Sequence, residues 1–301
     1  MYKKPNKLKP GDRVGIIVPS SPVKEPFRQN GLERIRRLGF QPVEVDRPLA
    51  NNYLFAKSPD ENIEDLRIMM EDPTIKAVWA ARGGYGSNLL LPHLAELNVP
   101  SPKIVLGSSD VSYLLWYLLD RMRMVVFYGP MAYSTIAEDR AETGQLMRIL
   151  SGETPGGPVP GKVFREGEAR AVITGGCLSN LVSVLGTPYF PDIKGKILLL
   201  EDTGERIHKL DRMLWQCMVS GVFADIEGLI LGQFPGCFRD DAEREYFLSR
   251  LEVYLAGSDF PVIRDVPFGH AGLVYTCPLG VPALIDTSVH DGVVFDEPAV
   301  V

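Results

Sequence analysis

The chain has 301 residues, of which 45% are hydrophobic and 23% are charged. This composition is that of a globular protein, and the length is enough for two domains or one large domain. The net charge is −6 at pH 7, and the basic residues form no cluster of the kind that marks a nucleic-acid-binding face. Nucleic acid is therefore not an expected partner.

The N-terminal segment is basic, but its apolar stretch at 14–18 is shorter than the core of a signal peptide. No stretch is apolar over the length of a membrane span. We therefore expect a soluble, cytoplasmic protein with no membrane partner. The four cysteines form no C-x-x-C pair and the histidines are scattered, so we expect reduced, buried thiols and no metal site.

The first half of the chain alternates predicted strands with predicted helices. The strands fall at 14–18, 41–45, 75–80, 103–106 and 124–128. The helices fall at 25–38, 59–70, 87–97 and from 111 onward. Ser58 and Glu61 have the spacing of a capping box, with Pro59 at the first helical position. This alternation with short connections predicts a parallel sheet covered on both faces.

A proline- and glycine-rich stretch at 154–161 indicates a linker. We accordingly expect an N-terminal domain at 1–153, a linker at 154–165 and a C-terminal domain at 166–301. In the C-terminal part, strands are predicted at 169–173, 196–200 and 228–231, and helices at 178–185, 207–218 and 242–255. Short strands and turns follow from 261.

Polar turns follow three of the predicted strands, at 82–86 (RGGYG), 107–110 (GSSD) and 201–205 (EDTGE). Ligands of doubly wound sheets bind beyond the carboxyl ends of the strands. The glycines of the first turn allow close approach of the backbone and expose amide donors. A phosphate-binding loop would need Gly-Lys-Ser/Thr after the glycines, and this motif is absent.

The second turn resembles a nucleophile elbow, in which a strand–turn–helix connection lifts a serine above the sheet. Gly107 would relieve crowding, Ser109 would occupy the apex, and a helix would begin near Asp110. The alternative is that Ser109 and Asp110 are helix N-caps. The downstream glycine of G-x-S-x-G is missing.

A nucleophilic serine needs a base, and the base needs an orienting group. His270 follows a strand-like stretch and is flanked by Gly269 and Gly272, which leave its ring accessible. Glu201 directly follows four apolar residues, where an unpaired acid would be costly. The residues left open as alternatives are His93, His208 and His290 for the base, and Asp202 and Glu205 for the acid.

These segments together resemble the LD-carboxypeptidase family of serine peptidases, which includes the microcin C immunity peptidases. The resemblance runs nearly end to end. It rests on VGIIVPSSPV, AARGGYGSNLLLPHL, KIVLGSSDVSYL, FYGPM, TGGCLSNLVSVLGTPYFPDIKGKILLLEDTGERIHKLDRML and FGHAGLVYTCPLGVPALID.

The resemblance implies a Ser109–His270–Glu201 triad. It also implies an α/β fold, with an N-terminal parallel-sheet domain, a more β-rich C-terminal α/β domain and the active site between them. It further implies a homodimer without metal or cofactor. Three positions depart from the family pattern: Ser108 where an aromatic residue is common, Leu89 where arginine is common, and Tyr128 where histidine is common.

Two further assignments concern the substrate. We expect the amide of Gly84, with Gly83 as the alternative, to form an oxyanion hole with the amide of Asp110. A carboxypeptidase must also bind a free carboxylate, and Arg82 precedes the glycine turn. The alternative for Arg82 is a structural ion pair.

The expected function is a serine carboxypeptidase that cleaves the amide between an L-centre and a terminal D-residue, as in recycled murein tetrapeptides. One alternative is an immunity peptidase that cleaves aminoacyl-sulfamoyl adenylates, with aromatic residues at 187–190 stacking on a nucleobase. The other is a non-catalytic module that binds small peptides.

Overall fold

The computed structural model describes residues 1–46 and 54–301. Its strands are β1 (Arg13–Ile17), β2 (Gln41–Glu44), β3 (Ile75–Ala80), β4 (Ile104–Gly107), β5 (Val126–Tyr128), β6 (Val159–Pro160), β7 (Lys162–Arg165), β8 (Glu168–Cys177), β9 (Ile197–Glu201), β10 (Gly228–Leu231), β11 (Val262–Arg264), β12 (Cys277–Leu279), β13 (Pro282–Asp286) and β14 (Gly292–Phe295). Its α-helices are α1 (Glu25–Arg37), α2 (Pro59–Glu71), α3 (Ser112–Asp120), α4 (Thr143–Leu150), α5 (Leu178–Ser183), α6 (Ile207–Val219) and α7 (Asp241–Tyr254).

The first compact unit contains a six-stranded sheet in the order β12-β5-β4-β3-β1-β2. Strands β1 to β5 are parallel, and β12 pairs antiparallel with β5 at the edge. Every residue of β4 is buried, which is why this strand is an unbroken apolar run rather than an alternating one. The predicted parallel α/β layer is therefore confirmed.

The helices of this unit follow local signals in the sequence. The predicted capping box is present, since the Ser58 hydroxyl accepts the Glu61 amide and the Glu61 carboxylate accepts the Ser58 amide. The predicted helix at 87–97 is a 3₁₀ helix, Ser87–Glu96, instead of an α-helix. Pro92 lies within it and lacks the amide donor that a continuous α-helix needs. The helix α4 has no counterpart among the predicted elements.

The second compact unit contains an eight-stranded sheet in the order β6-β14-β13-β8-β9-β10-β11-β7. Its centre, β8 to β11, is parallel, and the strands on either side pair antiparallel. This unit is richer in strands than the first, as expected from the resemblance. The strand β9 is wholly buried and ends at Glu201.

The two units are discontinuous along the chain. The first comprises Met1–Gly156, Leu273–Val281 and Glu297–Val301, and the second comprises Gly157–Gly272 and Pro282–Asp296. The proline- and glycine-rich stretch at 154–161 includes the first crossing between them, but the return of the chain to the first sheet at β12 has no comparable signal. No helix within the described residues is both long and apolar enough to cross a bilayer.

Candidate active site

The turn after β4 holds Ser109 in a backbone conformation that side chains rarely adopt. Ser109 has a φ of 58°, whereas the preceding Ser108 is extended. A positive φ costs a non-glycine residue free energy and is characteristic of functional turns. A Cβ on Gly107 would lie 2.7 Å from Val111 Cγ1, so only glycine fits there. The turn therefore has the strained strand–turn–helix form of a nucleophile elbow.

Both backbone groups of Ser109 are hydrogen-bonded. Its amide donates to the hydroxyl of Tyr128, at 3.0 Å. Its carbonyl accepts the hydroxyl of Ser112, at 2.6 Å. Tyr128 is the last residue of β5 and is fully buried, so it provides a rigid anchor. These bonds hold the strained turn in place.

The side chain of Asp110 connects this turn to two others and makes no capping bond to the helix that follows it in the chain. Its Oδ2 accepts the Ser20 hydroxyl at 2.6 Å and the Ser87 amide at 2.8 Å. The Ser87 hydroxyl donates in turn to the Asp110 carbonyl. Since Asp110 is 97% buried (3% exposed), these bonds replace the water that the carboxylate loses on folding. They join the loops that follow β1, β3 and β4.

The glycine turn (residues 83–86) packs directly against the serine turn (residues 107–110). A Cβ on Gly83 would lie 2.8 Å from Ser109 Cβ and 3.4 Å from the Asp110 amide nitrogen, so a side chain there would crowd the serine. Gly84 has a φ of 122°, and a Cβ on it would clash with Ser21. Within the described part of the chain, no hydrogen bond occupies the Gly84 or Asp110 amide.

Arg82 lies directly before this turn and is half-buried. Its Nη1 donates to the Pro22 carbonyl, at 3.1 Å. It forms no ion pair with any residue in the ranges 1–46 and 54–301, so the structural ion pair considered as an alternative is not present there.

In the second unit, Glu201 and His270 form a hydrogen-bonded pair. The Glu201 carboxylate is fully buried at the end of β9, and its Oε2 lies 2.6 Å from Nδ1 of His270. Gly269, with a φ of 122°, precedes the histidine, and a Cβ there would clash with the Glu201 carboxylate. A Cβ on Gly232 would lie 2.8 Å from Glu201 Cβ. Glycines at these positions make the close approach possible.

Gln233 holds the loop that contains His270 (residues 268–271, the histidine loop). It was not among the predicted site residues. Its side-chain Oε1 accepts the Ala271 backbone amide at 2.8 Å, and its own backbone amide donates to the Phe268 carbonyl at 3.0 Å. Its carbonyl also accepts the Asp202 amide, at 3.3 Å. Gln233 therefore fixes both sides of His270. No sequence motif identifies it, because its partners lie more than thirty residues away along the chain.

The alternative acids have other partners. Asp202 accepts the backbone amides of Ser179 and Thr203, each at 2.8 Å. Glu205 pairs with Lys209, at 3.2 Å. Burial raises the pKa of Asp202 from its ordinary 3.8 to about 6, although both amides oppose the shift. Geometry therefore selects Glu201 as the partner of His270.

The alternative histidines have different surroundings. His208 is exposed on α6, and Nδ1 of His290 lies 3.0 Å from the Asp286 carbonyl. The four cysteines, Cys177, Cys217, Cys237 and Cys277, are buried and form no disulfide, as predicted. In the described part of the chain, no three His, Cys, Asp or Glu side chains are grouped so as to hold a metal ion.

Comparison with known proteins assigns the family. Residues 14–129 match the LD-carboxypeptidase N-terminal domain, and residues 170–285 match the C-terminal domain. A putative carboxypeptidase of Streptomyces coelicolor is 35% identical over 94% of this chain and 93% of its own length. A probable murein peptide carboxypeptidase of Bacillus subtilis is 31% identical over 97% of this chain and 94% of its own length.

The fold is also that of a solved structure. The microcin C7 self-immunity protein MccF, as an inactive mutant in the apo state, superposes with a TM-score of 0.89 over 98% of this chain and 99% of its own, at 22% identity. This likeness supports the two-domain α/β fold. Together with the matched domains and relatives, it leads to one assignment: the chain belongs to the LD-carboxypeptidase family of peptidases.

Proposed function

We propose that this protein is a serine carboxypeptidase that hydrolyses the amide between an L-centre and a terminal D-amino acid. Ser109 is the nucleophile, His270 the general base and Glu201 its orienting group. The observation that carries the proposal is the 2.6 Å bond from the buried Glu201 carboxylate to Nδ1 of His270. A carboxylate at Nδ1 assigns the proton to that nitrogen and leaves Nε2 as the basic one.

In this proposal, Ser109 Oγ attacks the amide carbonyl while His270 Nε2 takes the hydroxyl proton. The resulting imidazolium is stabilised by Glu201 and then protonates the departing amine of the D-residue. Water, deprotonated by His270, hydrolyses the acyl-enzyme and releases the shortened peptide. The amides of Gly84 and Asp110 hold the negative oxygen of each tetrahedral intermediate.

We propose murein tetrapeptide as the substrate and recycling of murein peptides in the cytoplasm as the setting. The 31% identity to the probable murein peptide carboxypeptidase supports this choice. The test is release of D-alanine from murein tetrapeptide, measured beside hydrolysis of an aminoacyl-sulfamoyl adenylate. Preference for the tetrapeptide supports the proposal, whereas preference for the adenylate assigns the chain to the immunity peptidases.

The triad is tested by replacing each member separately. Ser109→Ala, His270→Gln and Glu201→Gln should each lower kcat by roughly 10³-fold or more, with Glu201→Gln the mildest. Matched controls at Ser183→Ala, His208→Gln and Glu205→Gln should retain activity. Near-normal turnover by Ser109→Ala would contradict the assignment. A wild-type protein that binds the peptide without hydrolysing it would favour a binding module.

Arg82 is proposed to bind the substrate's terminal carboxylate, because its guanidinium has no carboxylate partner within the described residues. Arg82→Met should then impair cleavage of the free-acid peptide strongly and of its C-terminal amide much less. Equal losses on both substrates, with a lower melting temperature, would assign Arg82 a structural role.

The oxyanion hole is tested with a peptide aldehyde that adds to Ser109. In a crystal structure of the adduct, the hemiacetal oxygen should lie about 3 Å from the amide nitrogens of Gly84 and Asp110. A bond from Gly83 in place of Gly84 would correct the assignment.

A further inference from the structure

A cavity of about 460 Å³ lies within the second unit, bounded by the loop after β10, by α7 and by the end of β11. This volume falls in the range of small-molecule sites. Gln233 lines it but contacts the histidine loop through its side-chain oxygen. Gly232 also lines it and packs against Glu201. The proposed peptidase reaction gives no role to the remaining lining residues.

One wall of the cavity is cationic. Lys162, Arg244 and Arg264 line it, and Asp265 is the single acid among its described lining residues. Asp265 pairs with all three: with Arg244, with Arg264 Nη1 at 2.7 Å, and with Lys162 Nζ at 3.5 Å. One carboxylate is therefore ion-paired with three cationic side chains, which leaves a net charge of +2 among these four residues. A phosphate monoester carries close to two negative charges near neutral pH.

Three other residues of the cavity lining are aromatic. The ring centroids of Phe234, Phe238 and Phe247 lie 5.3–6.4 Å apart, with tilted planes. Phe234 and Phe238 are half-buried, so part of each ring faces the cavity space. A planar ring gains both apolar burial and ring–ring contact against such side chains.

We propose that this cavity binds an aromatic phosphate monoester. The phosphate is held by Lys162, Arg244 and Arg264, where arginine provides paired donors to phosphate oxygens. The ring packs on Phe234 and Phe238. A ligand with only a phosphate would contact only the cationic lining residues, and a ligand with only a ring would contact only the aromatic ones. Both features together therefore define the class of ligand.

The test is calorimetric titration of the intact protein with 1-naphthyl phosphate, inorganic phosphate and 1-naphthol. The ester should bind at least tenfold more tightly than either of the other two, and added salt should weaken its binding. Equal affinity for the ester and inorganic phosphate, or for the ester and 1-naphthol, would overturn the proposal.

Variants locate the binding. Lys162→Gln is tolerated structurally because its side chain is 65% exposed, and it should weaken ester binding severalfold. Phe238→Ala should weaken the ester but not inorganic phosphate. Arg239→Gln is the matched control, since Arg239 is 83% exposed and lies outside the cavity lining. The affinity of this variant for the ester should stay within twofold of the wild-type value. Loss of ester binding in Arg239→Gln would refute the site, and so would wild-type ester affinity in Lys162→Gln and Phe238→Ala.

Discussion

At the scale of single residues, the serine turn depends on the absence of a side chain at Gly83. The φ of Gly83 is not positive, so alanine is sterically allowed by the backbone itself. Its Cβ would, however, lie 2.8 Å from Ser109 Cβ and 2.9 Å from Oγ. The effect of such a substitution therefore reports on Ser109 and not on backbone strain.

Gly83→Ala should lower kcat about 100-fold, because a displacement of the nucleophile by about 1 Å costs that much. The measurement is steady-state release of D-alanine. Gly257→Ala is the matched control, since Gly257 also lacks a positive φ and a Cβ there meets nothing within 4 Å. An unchanged kcat in Gly83→Ala would mean that Ser109 does not act as the nucleophile from this position.

Asp202 makes the stability of the fold depend on pH. Burial raises its pKa from 3.8 to about 6. Between these values the folded chain retains a proton that the unfolded chain has lost, so its contribution to the free energy of unfolding falls as the pH rises from about 4 to about 6. The effect is on the order of 2–3 kcal/mol at most.

Asp202→Asn should make this decline shallower, measured as the free energy of unfolding in urea from pH 4 to pH 7. The informative quantity is the slope, because asparagine has one acceptor for the two amides of Ser179 and Thr203 and is destabilising at every pH. An identical slope in the variant and the wild type would show that Asp202 titrates in the folded state as it does in the unfolded chain.

At the scale of secondary-structure elements, Asp110 holds together the ends of three parallel strands. Its carboxylate accepts two hydrogen bonds, from Ser20 and Ser87, in a buried position. Removing a buried charged acceptor also leaves its donors without a partner. The loops of the candidate site are thus linked by one side chain.

Asp110→Ala should lower the free energy of unfolding by about 2–4 kcal/mol. It should also lower kcat, because the serine and glycine turns lose their connection. Denaturant unfolding and peptidase assays measure the two effects. Asp60→Ala is the control, since Asp60 is exposed on α2, and its cost should stay below about 1 kcal/mol. Wild-type stability in Asp110→Ala would show that water replaces the carboxylate without penalty.

At the scale of the whole molecule, the C-terminal residues belong to the first unit. Val301 exchanges backbone hydrogen bonds with Pro5 and Lys7, at 2.8–2.9 Å, and Ala299 and Val300 are buried. Lys4 also pairs with Glu297, at 2.9 Å. The first unit therefore includes residues from the far end of the sequence, which pack against its N-terminal segment.

Deleting residues 297–301 should destabilise the first unit by about 2 kcal/mol from lost apolar burial. Hydrogen-exchange mass spectrometry should show lost protection in residues 1–12, while β10 in the second unit remains protected. Glu297→Gln alone removes only a surface ion pair and should have little effect. Equal loss of protection in both units would contradict this assignment of the tail.

Features that depend on neighbouring residues can be predicted from the sequence of this protein. The alternation of strands and helices, the capping box at Ser58 and the turn of Gly107 and Ser109 are local patterns. Local patterns also made Glu201 and His270 candidates, and the family resemblance selected them from the alternatives. The 2.6 Å contact of those two residues is present in the structure, although they lie 69 positions apart. The local signal for Glu201 was its position at the end of an apolar strand, and the signal for His270 was its place between glycines after a strand.

The contacts between distant groups, by contrast, are seen only in the folded chain. The bond from the Ser109 amide to Tyr128, the bonds of Asp110 to Ser20 and Ser87, and the support of the His270 loop by Gln233 join different strands. The pairing of β12 with β5 is of the same kind. Local propensity carries no information on such contacts, because they depend on the order of strands in each sheet and on the burial of polar groups that then need partners.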